Sequence, residues 1–501
     1  MFAKTYTVSF DGIEVLEVKT EVQVSDGLPS FTIVGLADKA VAESKERIRA
    51  ALHSIGLSLP AKRITVNLAP ADVVKEGTHY DLPIALGLMA AMGVLKPADI
   101  EPYVVMGELG LDASIRAVSG VLPAAVAAKG LDKGFICAAL QANEALWSGN
   151  DTILGANDLT ALLNHLKGVQ PLPYPERKTD FGETALLDFK DIKGQESSKR
   201  AMEIAAVGGH NVLMIGPPGS GKSMMAARLP SILPPLSSED ILEISKIYSV
   251  AGLLKEGRLI VNRPFRDPHH SASTPAMIGG GLKARPGEVS LAHRGILFLD
   301  ELPEFNRTTL ESLRQPLETG RVSVSRANHH VTYPARFQLV AAMNPCKCGY
   351  LGVSGHQCAR APKCAAEYQS KISGPLLDRI DLQVDVPAVA PWELGQGGGE
   401  SSEKIRERVL RAIEFGRHRF DGLPIAKNAE ADGQLLESIA CLSESAKALL
   451  IQAAEKMMLS ARGYHRMIRV ARTIADLEQS DCIEKIHVSE ALSYRKVNGG
   501  R

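Results

Sequence analysis

The run Gly216-Pro-Pro-Gly-Ser-Gly-Lys-Ser223 constrains this chain more than any other feature. It follows four apolar residues, Val212-Leu-Met-Ile215, and leads into a helix-like stretch from Met224. A glycine-rich turn between strand and helix aims backbone N–H groups at one spot, and the helix N-terminus adds positive potential there. Gly216, Pro217, Pro218, Gly219, Ser220 and Gly221 would form the cradle. Lys222 would bring a point charge to the outer phosphates, and Ser223 a hydroxyl to Mg2+. The match is to the Walker A pattern, so the expected ligands are ATP and magnesium.

A second signal is Gly295-Ile-Leu-Phe-Leu-Asp-Glu301, an apolar strand ending in two carboxylates. Ligands of open α/β sheets sit at the C-terminal edge of the strands. Asp300 is expected to hold magnesium and Glu301 to polarise the attacking water. Asn344 ends the next apolar strand, Leu339-Val-Ala-Ala-Met-Asn, where its amide could orient that water. Asn344 also suits a plain turn before Pro345.

Around these motifs the chain divides into compositional blocks. Residues 1–168 mix strand-like stretches (18–24, 63–68) with helix-like ones (38–55, 82–92). Residues 169–185 are polar and proline-bearing and read as a linker. Residues 186–390 alternate apolar strands with helices, the pattern of a parallel sheet covered on both faces. After a glycine-rich break, residues 391–501 read as helices, at 402–415, 443–459, 466–478 and 489–496. The expected fold class is therefore α/β, with an additional helical block. Acidic and basic residues number 57 each, so any nucleic-acid contact must come from a local patch or pore. The N-terminus lacks a signal-peptide pattern and no apolar run reaches membrane-spanning length, so a cytoplasmic protein with no membrane contact is expected.

Four of the seven cysteines, Cys346, Cys348, Cys358 and Cys364, fall in one insertion-like segment, 346–368. Four thiolates suffice for a tetrahedral Zn2+ site, and His356 is a possible substitute ligand. Free thiols are the alternative.

Three longer motifs carry a family resemblance: Arg263-Pro-Phe-Arg-Asp-Pro-His-His-Ser-Ala-Ser273, Leu317-Glu-Thr-Gly-Arg-Val-Ser-Val-Ser-Arg326, and Ile372-Ser-Gly-Pro-Leu-Leu-Asp-Arg-Ile-Asp381. They resemble the magnesium-chelatase-related branch of AAA+ ATPases, and the whole chain resembles the YifB/ComM family. The resemblance implies a Lon-protease-like α+β N-terminal domain, an AAA+ P-loop αβα core and a C-terminal helical lid. It implies that Arg379 is an arginine finger reaching the ATP of the next subunit, and that Arg462 is the sensor arginine of the lid, with Arg466 a near competitor. A finger acting in trans requires a homo-oligomer, and the family suggests a hexameric ring. Residues 321–336 read as a β-hairpin with its tip near 327–330. The resemblance makes it pore-lining, with Arg326, His329 and His330 as candidate DNA contacts. A solvated hairpin without ligand fits the sequence equally.

In proteolytic relatives of the first block a serine and a lysine perform peptide cleavage. Here His79, in Glu76-Gly-Thr-His-Tyr-Asp81, stands at the serine's place and Leu122 at the lysine's. Serine-lysine chemistry needs both groups. A non-proteolytic domain that binds or shapes a DNA path is expected instead, with Lys62, Arg63 and Lys75 as possible contacts. The resemblance thus points to a ring-forming, ATP-dependent DNA motor, a branch-migration helicase of recombination or natural transformation. A magnesium-chelatase-like protein-remodelling ATPase is the alternative, and an ATP-driven protease a third that His79 argues against.

Overall fold

Buried side chains recur at every second position in the latter half of Glu14–Ser25, the period of a strand, whereas Phe2–Asp11 is buried without a break from Thr5 to Ser9. Phe2–Asp11 (β1) and Glu14–Ser25 (β2) pair antiparallel from Phe2↔Gln23 to Asp11↔Glu14. With Ser30–Val34 (β3), Arg63–Ala69 (β4), Tyr103–Val105 (β5), Gly134–Ala138 (β6) and Ile153–Ala156 (β7) they form one mixed sheet, ordered β3-β4-β2-β1-β5-β6-β7. These coordinates are a computed structural model. It describes all residues except 177–185, 282–283, 327–328, 352–357, 359, 390–391, 393–397, 424 and 496–501, and only the backbone at 325–326 and 329–330.

The helix expected at 38–55 is Ser44–Ser54 (α1), preceded by a separate turn, Lys39–Ala42. Asp81–Ala91 (α2) is buried on every side, as its unbroken apolar sequence demands. Gly87 allows it to lie close on β2, since a Cβ there would come within 2.9 Å of the Val22 side chain. Asp81, at the start of α2, is fully buried and paired with Arg47 (Nε–Oδ2 2.5 Å). It also accepts from the Ser44 hydroxyl and, at 3.2 Å, from the Leu109 N–H.

The second sheet contains runs buried on both faces: Val212–Ile215 (β8), Ile296–Leu299 (β10) and Gln338–Met343 (β13). Phe265–Arg266 (β9) and Leu382–Asp385 (β14) complete it in the order β9-β10-β13-β8-β14, every pair parallel. One face packs against Glu196–Gly208 (α3) and Lys222–Ile232 (α4). The same core takes in Ser402–Arg417 (α8), Gly433–Ala440 (α9), Glu444–Lys456 (α10), Ala461–Leu477 (α11) and Lys485–Ser493 (α12). The opposite face packs against Leu302, Leu313 and the hairpin residues Val322, Val324, Val331 and Tyr333. Helices Ser238–Ala251 (α5) and Arg314–Thr319 (α6) precede the hairpin, and Lys363–Gln369 (α7) follows the sheet strand Gln338–Met343. The hairpin strands Arg321–Arg326 (β11) and His329–Pro334 (β12) pair up to Arg326↔His329. His329 and His330 thus belong to the strand rather than to the tip.

The first sheet's block docks on α5. Ser249 accepts from Gly120 N–H through its carbonyl (3.0 Å) and from Leu122 N–H through its hydroxyl (3.2 Å). Its hydroxyl donates to the buried Glu144 carboxylate at 2.6 Å. The β1–β2 turn also rests on the hairpin, where a side chain at Gly12 would meet the Thr332 carbonyl. Among the C-terminal helices, α9 was not expected from the sequence, and α11 begins five residues earlier than expected because Ser460 caps it by accepting from the Gly463 N–H (3.1 Å). Cys441 and Cys482 form a disulfide with their Cα atoms 4.8 Å apart, a bond uncommon in reducing compartments. No helix among the described residues is long and apolar enough to cross a membrane.

Burial raises the Asp81 pKa, against the opposing effect of Arg47 and Ser44. Removing Arg47 leaves a buried carboxylate without its cation, which costs about 3 kcal/mol. Asp81 would then titrate higher still when folded than unfolded, so its penalty accrues as pH rises. Arg47→Ala is expected to lower the melting temperature most at neutral pH and less in acid. A loss that is uniform with pH would contradict this.

Candidate functional site

Strand register builds the site. β8 and β13 align Ile215 with Met343, so Gly216 and Asn344 emerge side by side at the C-terminal edge. β10 and β13 align Leu299 with Ala341, bringing Asp300 to the same edge. β8 lies between β13 and β14, neither its neighbour in sequence, and such a switch point opens a crevice.

The loop from Gly216 turns tightly into α4. Gly219 and Gly221 have φ of +73° and +83°, which side chains disfavour, and a Cβ on Gly216 would strike the Val386 carbonyl. Lys222 folds back over the loop. Its ammonium donates to Gly216 O and Pro217 O, both at 2.8 Å, and lies 3.3 Å from Asn344 Oδ1. Burial lowers its pKa, while Asp300 and Glu301 pull in the opposite direction. The Ser223 hydroxyl donates to Asp300 Oδ2 at 2.6 Å. An oxygen pair of this kind can share a hard divalent cation. Glu301 is half exposed and has φ +52°. A left-handed conformation at a non-glycine residue is uncommon and concentrates at functional sites.

Sequence reasoning gave no role to three residues that the structure brings to this crevice. His270 Nδ1 lies 3.6 Å from Glu301 Oε2. Its signal was the His269-His270 doublet within the first family motif. Gln195 braces the loop, donating to Ser220 O (2.6 Å) and Pro387 O (3.0 Å). Burial, reinforced by Glu304, Glu301, Asp300 and Cys346, pushes the Tyr368 phenol up to about 12.

Arg379 and Arg462 stand elsewhere, and neither bonds to the loop among the described residues. Arg379 pairs with Glu318, and its Nη1 donates to Pro375 O at 2.7 Å. Burial lowers its pKa, as do Arg314, Arg462 and Arg466. Arg466 is buried, ion-paired with Asp378 (3.7 Å) and Asp381 (3.5 Å), and donates to Ile380 O at 2.9 Å. Arg462 is exposed, which leaves it the freer of the two arginines. The side chains of Arg326, His329 and His330 lie outside the described residues.

In the first block, His79 is buried with Nε2 2.9 Å from Val8 O, and burial pushes its pKa down to about 4. It lines a cavity of about 320 Å³ together with Phe10, Gly120, Arg285 and Tyr333. Leu122 is a buried hydrocarbon. Neither residue offers a serine-lysine nucleophile. Lys75, expected as a DNA contact, is instead fully buried and donates to Pro70 O, out of reach of any phosphate. Lys62 is paired with Asp26 at 2.8 Å, and Arg63 remains exposed.

The sulfurs of Cys346, Cys348, Cys358 and Cys364 all lie within 4.8 Å of one another. Tetrahedral thiolates at ~2.3 Å from zinc sit roughly 3.8 Å apart, so the four fit that ion. His356 lies outside the described residues. The cluster abuts the phosphate loop, since a Cβ on Gly349 would come within 2.7 Å of the Pro218 ring.

The family described as magnesium chelatase, subunit ChlI, matches residues 188–394. Subunit ChlI of Mg-chelatase matches 20–141, and the magnesium chelatase subunit ChlI C-terminal family matches 399–495. The class is thus magnesium-chelatase-related, which is an AAA+ ATPase-related class. The protein YifB of Salmonella typhimurium is 42% identical over 97% of this chain and 96% of its own length. The competence protein ComM of Haemophilus influenzae is 42% identical over 98% and 97%. YifB of Escherichia coli is 43% identical over 97% and 96%. The chain belongs to the YifB/ComM family.

If the thiolates hold zinc, protein purified without chelator should contain about one Zn2+ per chain, and the Cys346→Ser/Cys348→Ser double variant should contain almost none. Metal analysis that finds no zinc in the unaltered protein would favour free thiols.

Proposed function

We propose that this protein is an ATP-dependent, ring-forming AAA+ DNA motor that drives branch migration in recombination or natural transformation. The observation that carries the reading is the convergence of Lys222, the Ser223–Asp300 pair, Glu301 and Asn344 at one sheet edge. In this reading the amides of residues 216–221 and the Lys222 ammonium bind the phosphates. Ser223 and Asp300 hold Mg2+, which when bound neutralises charge on the phosphate oxygens. Glu301 accepts a hydrogen bond from the attacking water, with Asn344 orienting it. His270, beside Glu301, steadies the carboxylate. Arg379 enters the neighbouring subunit's site in trans, and Arg462 serves as the sensor arginine of the helical lid.

The proposed domains are a Lon-like, non-proteolytic block at 1–168, a linker at 169–185, an AAA+ core at 186–390 and a helical lid at 391–501. A homohexamer would present one hairpin per subunit to a common pore, with DNA as the partner and Arg326, His329 and His330 as contacts. The competence name of the Haemophilus influenzae relative supports a part in DNA uptake or recombination. The chelatase family descriptions support the second reading, a protein-remodelling ATPase. ATP turnover stimulated by branched DNA and not by protein would separate the two.

Lys222→Ala should lose both nucleotide binding and turnover. Glu301→Gln should bind ATP normally but turn it over on the order of 10²-fold more slowly, because Asp300 remains while the water loses its base. Normal turnover by Glu301→Gln would sink the assignment.

Changing Arg326, His329 and His330 together to alanine should leave basal ATPase nearly intact and weaken its stimulation by branched DNA. DNA affinity should also fall less steeply with salt, since fewer counterions are released. A triple variant that binds and responds like the wild type would remove the hairpin from the DNA path.

A further inference from the structure

Arg379 sits among cations. Arg314, Arg462 and Arg466 all act on it electrostatically. Arg314 has its own partner, Glu311 at 3.0 Å, and Arg466 has Asp378 and Asp381. The carboxylate on Arg379 itself is Glu318. The remaining groups of Arg379 are poorly met: Nη1 has a backbone carbonyl, and Nε is buried without a partner among the described residues. An arginine held this way has donors and charge to spare for a better anion.

Glu318 occupies a particular place. It lies on α6, two residues before Gly320, whose φ of +65° ends that helix. The hairpin begins at the next residue. Thr319 bridges the junction, its hydroxyl 3.0 Å from both Gln315 O and Arg321 O. The Gly320 carbonyl accepts from the Ala335 N–H at 2.8 Å, closing the base of the hairpin. Force on the hairpin therefore reaches Glu318 through one short, hydrogen-bonded joint.

Exposure differs sharply across the pair, with the Arg379 side chain 11% exposed and that of Glu318 52%. A half-exposed carboxylate holds its arginine weakly, and a phosphate carrying more charge can replace it.

We propose that Glu318 is a positioning residue: it holds Arg379 in its own subunit until a nucleotide phosphate of the adjoining subunit displaces it, and the hairpin sets the ease of that release. The inference rests on the reading of Arg379 as a finger acting in trans. It makes Glu318 a brake that DNA at the hairpin relieves.

The test is Glu318→Gln, which keeps shape and removes charge, assayed for kcat and KM with and without branched DNA. Basal kcat should rise about fivefold, the worth of a partly exposed ion pair, and DNA should add little further. Glu318→Asp, which keeps the charge, should restore a low basal rate and most of the stimulation. A Glu318→Gln protein with wild-type basal rate and stimulation overturns the proposal, as does one whose basal kcat falls. A wild-type protein with no Mg-ATP turnover would overturn the underlying reading and this one with it. Normal wild-type turnover, with a Glu318→Gln protein whose basal rate and DNA stimulation both match the wild type, overturns this one alone.

Discussion

The parallel pairing of Val212–Ile215 with Gln338–Met343 is the constraint on which the site depends. It fixes where Gly216 leaves the sheet relative to Asn344. Ile296–Leu299, paired with the other side of Gln338–Met343, then delivers Asp300 and Glu301 to the same edge. A slip of one residue would turn each strand's side chains to the opposite face. All three strands are fully buried, so such a slip is strongly resisted. Chemistry at the edge thus inherits its precision from apolar packing below it.

The Lys222 ammonium donates to two carbonyls of its own loop. Ser223 and Asp300 likewise hold each other. These contacts use the same atoms that a nucleotide and its cation would engage. The cysteine cluster touches the loop at Pro218, and α7 touches the chain after Asn344, where Gln369 donates to Pro345 O at 2.9 Å. The segment following Asn344 therefore buttresses the crevice on a second side.

The parallel sheet was legible because its strands are short, wholly apolar and end in polar residues at one edge. The phosphate loop was legible because glycine spacing and backbone conformation are tightly linked. What escaped were contacts between segments distant in sequence. Gln195 reaches Ser220 and Pro387, and His270 reaches Glu301, through tertiary folding that no local pattern encodes. Lys75 looked like a surface cation, yet backbone bonds to Leu36 and Asp38 draw it inside. Cys441 and Cys482 meet across 41 residues because a backbone bridge pairs Leu442 with Ile483 beside them, a separation that carries no sequence signal. Helix α9 was missed because it is one short amphipathic segment opened by a glycine.

The Glu318 contact also bears on the larger claim. Arg379 is occupied within its own subunit and, among the described residues, makes no bond to its own phosphate loop, as expected of a group that works on a neighbour. The most direct measurement is ATP turnover by mixtures of Lys222→Ala and Arg379→Ala chains, each inactive alone. A site shared between subunits predicts that turnover appears on mixing and peaks near equal proportions, where an intact loop most often faces an intact Arg379. Mixed assemblies that form and yet stay inactive at every ratio would contradict the account.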